Sequence, residues 1–331
     1  MTYKIPKAEL HLHLEGAMTP SLVRSFAKRN GLTLPAGIYD DQDRYIWSDF
    51  PEFLMSFDKA SAAIRTKQDY ADLTHFYLTE QAKSGALYVE LFCSPTHAAE
   101  CGISFDDHLA GIVDGIDRAE KECGIIGRII MTCVRHVGGA VAVDVAKDTV
   151  ACGHPYIVGF GMGGNESMFS QETFYPAFKV AANGGLGCTT HAGEVQGPQS
   201  IWDAIDKLPV TRIGHGVRSI EDPKLVEALV KRGIVLEVCP GSNIALSVYP
   251  DFAAHPLRKL YEAGVKVTLG SDDPPFFHTS LADEYQCAQD DFGFSDAELL
   301  GITRTALEAA FVDDDTKALL IAKLWPRFCC L

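Results

Sequence analysis

His11 and His13 stand two apart in the run KAELHLHLEG, a third histidine, His191, opens HAGE, and Asp272 begins the acidic pair of SDDPPFF. On an extended segment, residues two apart point to the same face, so two imidazoles there can share one cation. Three histidines and one carboxylate form a donor set that suits zinc and leaves room for a water. Any one of these histidines alone is as often a hydrogen-bonded core residue. His-x-His, then His-Ala-Gly-Glu, then Ser-Asp-Asp-Pro, in that order, is hard to obtain from packing needs alone. Zinc so held would bring the pKa of a bound water down to about 7 and supply hydroxide at neutral pH.

The elements that must position these groups alternate between short apolar runs and longer amphipathic segments along nearly the whole chain. Eight strands are predicted, at Ala8 to Leu14, Leu87 to Ser94, Arg128 to Arg135, Ile157 to Met162, Gly187 to His191, Arg212 to His215, Val235 to Cys239 and Lys266 to Ser271. Helices are predicted over Tyr70 to Ser84, Asp107 to Cys123, Pro223 to Arg232 and Pro256 to Ala263, several closing on glycine. Two further amphipathic segments fill Asp296 to Leu324. Eight such units predict an α/β fold, the (β/α)8 TIM barrel, with additional helices after strand one and at the C-terminus. Strands one, four, five, six and eight end in HLHLEG, MGGNE, HAGE, GHG and SDDP. Polar motifs at strand C-termini are what the catalytic face of such a barrel looks like in sequence.

The chain has 331 residues, 47% of them hydrophobic, and reads as one domain over 1–331. Its formal charge of −15 repels nucleic-acid phosphates and anionic membranes, which leaves a neutral or cationic small molecule as the partner. No basic, apolar and small-residue leader pattern begins the chain and no uncharged run is long enough to span a bilayer, so a cytoplasmic location is expected. The ten cysteines are scattered singly, Cys133, Cys188 and Cys239 inside apolar runs, and read as reduced thiols. Cys93 and Cys239, near strand ends, read as buried thiols and not as nucleophiles. The closing Cys329-Cys330-Leu331 does not satisfy a prenylation pattern and reads as a frayed tail.

From about residue 5 to residue 324 the chain resembles the adenosine deaminase family, on KAELHLHLEG, FPEFLMSFDKA, MGGNE, HAGE, RIGHGVR, LEVCPGSN, SDDPPFF and the DEYQ run near Asp283. The resemblance implies one zinc per chain, held by His11, His13, His191 and Asp272. Barrels of this kind with two metals bridge them through a carboxylated lysine at the end of strand four, whereas this strand ends Gly161-Met162-Gly163-Gly164. Hydrolysis of a cyclic amide, which expects two metals, is disfavoured on the same ground. The cysteine-ligated deaminase pattern is absent too, because Cys239-Pro240 runs on into Gly-Ser-Asn.

Replacing a purine 6-amino group by oxygen needs hydroxide, a proton for ring nitrogen N1 and a protonated leaving amine. Glu194, three residues beyond His191, is the candidate carboxyl held neutral to protonate N1, a role the resemblance also implies. His215 would orient or deprotonate the attacking water and stabilise its developing charge, and Asp273 would hold the water and the purine. An aspartate there can also serve as a helix N-cap. The resemblance places Asp273 against N7 and the Gly164 amide against N3. A positive-φ turn explains Gly164 equally well. Glu15, sharing strand parity with His11 and His13, would accept hydrogen bonds from ribose hydroxyls, although many relatives carry the shorter aspartate. Trp47, Phe50, Phe53, Leu54 and Phe57 can form an apolar lid, with Leu54 and Phe57 on the base, and their spacing of three and four fits an ordinary amphipathic helix as well. His136 ends strand three and reads as a supporting or structural residue.

These motifs favour adenosine, with 2'-deoxyadenosine, as the substrate, the Gly-x-Glu after strand four and RIGHG resembling adenosine deaminases more than adenine-specific relatives. The alternatives are deamination of adenine, of an N6-substituted adenine or of an aminofutalosine compound on the same scaffold, because fold and motif do not settle substrate choice. A catalytically silent barrel predicts loss of ligands or of the proton donor, and all of them are present.

Overall fold

The computed structural model describes residues 5–34 and 37–324, so the cysteine pair at 329–330 lies outside the described residues. Eight strands, β1 (Lys7–Glu9), β2 (Ala86–Cys93), β3 (Ile126–Val134), β4 (Ile157–Gly163), β5 (Gly187–Ala192), β6 (Arg212–His215), β7 (Val235–Val238) and β8 (Lys266–Leu269), run parallel in sequence order. Each is joined to the next by at least one helix, giving the expected barrel with its outer ring.

The predicted strands agree with these within a few residues, except the first. Regular pairing of β1 stops at Glu9, and His11 to Leu14 run on as irregular chain with isolated parallel bridges from Leu12 to Asp272 and from His13 to Phe92. That stretch is where the barrel closes. The His13 amide donates to the Asp272 carbonyl at 3.0 Å and the Asp272 amide to the His11 carbonyl at 3.2 Å. Below it, the buried Glu9 carboxylate accepts from the Ser271 amide at 2.8 Å and from the Tyr77 hydroxyl at 2.6 Å, so a side chain bridges the seam, where β1 and β8 make no regular pairing among the described residues.

The predicted helices appear as Lys67–Lys83, Phe105–Cys123, Pro223–Arg232 and Leu257–Glu262. Ring helices at Gly139–Cys152, Tyr175–Asn183 and Pro198–Lys207 were not singled out from the sequence. Thr66 and Asp69 cap the first reciprocally, satisfying amides that have no partner within the helix. Extra helices after β1, Pro20–Arg29 and Phe50–Ser61, and at the C-terminus, Asp296–Ala309 and Asp314–Ala322, are also present. The C-terminal pair closes the far end of the barrel. Ala306, Leu307, Ala310, Val312 and Leu320 bury themselves against Ala8, Leu10, Tyr88 and Ile126, and Arg212 lies 3.7 Å over the Phe311 ring. With that end plugged, the open mouth is at the strand C-termini.

Cys93, Cys133, Cys188 and Cys239 are buried and unpaired, as the scattered spacing implies, and burial holds the Cys93 and Cys239 thiols well above their ordinary pKa. Among the described residues no helix is long and apolar enough to cross a membrane.

Candidate active site

At the mouth, one donor atom from each of His11, His13, His191 and Asp272 lies within 4.8 Å of all the others. Asp272 Oδ1 is 3.4 Å from both His11 Nε2 and His13 Nε2, and His13 Nε2 is 3.2 Å from His191 Nε2. The outer hydrogen bonds fix which ring atom faces inward. His11 Nδ1 donates to Glu237 Oε2 at 2.9 Å and His191 Nδ1 to the Met162 carbonyl at 2.7 Å, so each turns an Nε2 lone pair to the centre. His11 Nε2 is buried without a hydrogen-bond partner. Converging lone pairs and a carboxylate, with an orphaned imidazole nitrogen among them, fit a bound cation and leave its alternatives poorly satisfied. Burial, reinforced by the neighbouring histidines, keeps His191 well below the ordinary imidazole range, and burial pushes His13 down to about 4. Burial acts the same way on His11, but the hydrogen bonds and charges of Asp272 and Glu237 outweigh it and raise that ring to about 9, so a cation bound there would displace its proton. Gly214 makes the cluster possible, since a Cβ there would sit 2.7 Å from His11 Cε1.

Beside this cluster three buried carboxyl groups, Glu194, Asp272 and Asp273, line one cavity, and their surroundings separate them. Burial, then the negative charges of Asp272 and Glu166, hold Glu194 well above the usual carboxylate range. Burial and the Asp272 charge do the same to Asp273, whose Oδ1 is buried without a partner. Asp272 is buried too, yet the surrounding imidazoles hold it well below the usual range, and its Oδ2 accepts from Ser242 Oγ at 2.7 Å. One anion and two neutral acids is the arrangement a proton-donating site requires.

His215 lies 3.6 Å from Glu194 Oε1 and 3.9 Å from Asp272 Oδ2 through Nε2. A chain of hydrogen bonds sets its tautomer. The Leu257 amide donates to His255 Nδ1 at 3.2 Å, His255 Nε2 donates to Asn243 Oδ1 at 3.0 Å, and Asn243 Nδ2 donates to His215 Nδ1 at 3.3 Å. His215 Nδ1 is therefore an acceptor and its proton is on Nε2, facing the site. Burial pushes the ring down to about 3, so it is neutral. His215 and Asp272 both have left-handed backbones, at φ 59° and 62°, conformations rare outside glycine that persist where surrounding contacts over-determine them.

An open cavity joins these groups to an apolar wall. Phe50, Phe53, Leu54 and Phe57 of the Phe50–Ser61 helix line it, while Trp47 does not and instead ties the lid down by donating to the Phe276 carbonyl at 3.2 Å. Gly164, at φ 93°, and His136 also line the cavity, so His136 faces the mouth. Glu15 departs from the sequence expectation. The chain turns into a 3-10 helix at Glu15–Ala17, so Glu15 is not on a strand with His11 and His13, and it is 2% exposed in the cavity wall. Its Oε1 accepts from the Tyr70 hydroxyl at 3.1 Å and the Ser94 amide at 3.3 Å.

The profile of the family described as adenosine deaminase matches residues 6–325. The chain belongs to the adenosine deaminase family. Within that family it is 50% identical, over 98% of its length and 99% of the relative's, to the adenine deaminase of Agrobacterium fabrum. The crystal structure of adenine deaminase from Arthrobacter aurescens superposes with a TM-score of 0.92 at 30% identity, covering 98% of this chain and 99% of that one. A zinc-bound amidohydrolase of Burkholderia ambifaria superposes with a TM-score of 0.90 at 28% identity, over 99% of this chain and 92% of that one. This member of the adenosine deaminase family is thus a metal-dependent deaminase. The expectation that adenosine is its substrate is overturned, because relatives sharing half its residues from end to end are named for adenine. Gly163 and Gly164 of MGGNE and His215 of RIGHG line the same cavity as the His/Asp cluster, and neither motif distinguishes base from nucleoside.

The supporting carboxylates Glu237 and Glu166 escaped the sequence reading. Glu237 is a charged residue inside the apolar run VLEV, and such a residue at an inward strand position is the signal that could have found it.

Proposed function

We propose that this chain, as a single catalytic domain over residues 1–331, hydrolyses adenine at C6 to hypoxanthine and ammonia with one zinc per chain. The whole-length similarity to adenine deaminases carries the choice of substrate. Zinc, held by His11, His13, His191 and Asp272, would supply hydroxide at neutral pH when bound. Glu194, neutral and buried, donates its proton to N1 as oxygen adds at C6, which draws the ring electrons toward N1. His215 presents Nε2–H to the incoming oxygen and holds its negative charge. Asp273 orients the same oxygen and pairs with N7. The C6–N bond then breaks: one of the water's two protons leaves with the amine as ammonia, and the other returns to Glu194, whose own proton stays on N1 of hypoxanthine. The Gly164 amide faces N3, and Leu54 and Phe57 cover the flat ring and exclude water.

The ribose role expected of Glu15 falls with adenosine. The hydrogen bonds from Tyr70 and Ser94 both land on Oε1, and Oε2 would accept from the imidazole N–H of the free base. A nucleoside has no such N–H. The reading is tested by incubating zinc-loaded protein with adenine. Hypoxanthine and ammonia should appear in equal amounts, and no turnover by fully loaded protein would refute it.

A further inference from the structure

Glu166 follows β4 in MGGNE, is 4% exposed and has no part in the roles above. Its Oε1 accepts from the Gly193 amide at 2.5 Å and from Ser200 Oγ at 2.6 Å. Its Oε2 accepts from the amides of Glu194, Val195 and Gln196 at 3.2, 2.9 and 2.9 Å. Four consecutive backbone N–H groups thus converge on one carboxylate, a concave anion site filled by the chain itself. The turn depends on Gly193, at φ 71°, where a Cβ would lie 2.2 Å from Ile201 Cδ1. The strand end just before this turn is pinned as well, since the His191 carbonyl accepts from Arg135 Nη2 at 2.8 Å and from Gln171 Nε2 at 3.1 Å.

We propose that Glu166 is a positioning residue for the deamination: its carboxylate, held by four backbone amides and Ser200, fixes the loop that aims Glu194 at the substrate and stands beside Glu194. The inference rests on Glu194 as the proton donor. Glutamine cannot replace Glu166, because it offers one acceptor oxygen and turns an NH2 toward amide donors. Aspartate keeps the charge but withdraws it by one methylene. The charge acts in one direction. Besides Glu166, the charged or titratable groups around Glu194 are Asp272, Asp273, His11 and His215, and the cations near Glu166 are Arg135 and Arg218. An anion beside Glu194 favours its protonated form, the form that works, so activity persists below the Glu194 pKa and is lost as pH rises through it. Removing the anion moves that loss to lower pH.

The experiment compares zinc-loaded wild type with Glu166→Gln in kcat, KM, the pH profile of kcat and backbone hydrogen exchange. Glu166→Gln should lower kcat on the order of 10- to 100-fold, move the alkaline limb down by about one pH unit and expose amides 193–196 to exchange. A purely structural part would lower stability and leave the limb in place. An unmoved limb with wild-type protection at 193–196 overturns the proposal. Should Glu166→Gln not fold, Glu166→Asp is read by exchange, where wild-type protection of those four amides overturns it as well. Amide protection does not depend on turnover, and Glu194→Gln tests the donor role separately, so failure of one assignment is distinguishable from failure of the other.

Discussion

His11 and Glu237 form a fully buried pair, Nδ1 to Oε2 at 2.9 Å, and Glu237 is itself clamped on Oε1 by Arg212 Nε at 2.6 Å and Thr189 Oγ1 at 3.0 Å. Arg212 continues to Glu90 at 2.6 Å, and Glu90 accepts from the Phe311 amide at 2.8 Å. The orientation of a metal-facing imidazole is thus tied through the barrel to the segment that plugs its far end.

Glu237→Gln can still accept one hydrogen bond but loses the charge that polarises His11. Its apparent zinc affinity should fall about 10- to 100-fold, measured by chelator competition with circular dichroism as the folding control. Unchanged affinity in folded protein would remove Glu237 from the metal site. Elemental analysis of active wild type should find one zinc per chain, and two or none would contradict the four-donor reading.

Glu194→Gln fills the same volume but has no carboxyl proton to give N1. It should retain zinc and lose at least about 10²-fold in kcat. Near-normal turnover at full zinc occupancy would place the proton elsewhere.

Asn243→Asp tests the His215 tautomer. A carboxylate there would accept from Nδ1 and strip the proton from Nε2, leaving no donor for the oxygen at C6. A fall in kcat on the order of 10- to 100-fold is expected, with KM for adenine changed far less. A variant with wild-type kcat would show that the His215 proton is not needed on Nε2.

The barrel and the metal cluster were legible in the sequence because both are written in local pattern. Apolar runs ending in HLHLEG, HAGE and SDDP bring His11, His13, His191 and Asp272 to one rim whatever the packing details. The early end of β1 was not legible, since it is set by where the barrel closes on Asp272, a contact between residues more than 250 apart. That break put Glu15 on a 3-10 turn and undid an argument from strand parity. Glu237 shows in the sequence only as a charge inside the apolar run VLEV and Glu166 only as the last residue of MGGNE; what each supports was hidden, because their partners, His11 for one and the amides of residues 193–196 for the other, are distant in the chain. Substrate choice was not legible in the motifs, because a fold and its motifs do not fix the substrate and relatives named for adenine share about half of this chain's residues from end to end.

Glu15→Ala should penalise adenine more than adenosine, as only the free base offers an imidazole N–H to Oε2. Burial raises the Glu15 carboxyl to about 7, so above that pH, where it is ionised, a charge-assisted hydrogen bond of about 1.5–3 kcal/mol corresponds to roughly a 10- to 150-fold drop in kcat/KM for adenine. An equal effect on both substrates would assign Glu15 to the structure of the wall alone.

The most direct measurement is kcat/KM for adenine and for adenosine on the same zinc-loaded preparation, followed by ammonia release. Adenine should be favoured by at least about 10²-fold, since a site built around a ring N–H leaves its acceptor unpaired when that N–H is missing. Equal efficiency on the two, or a preference for adenosine, would contradict the account.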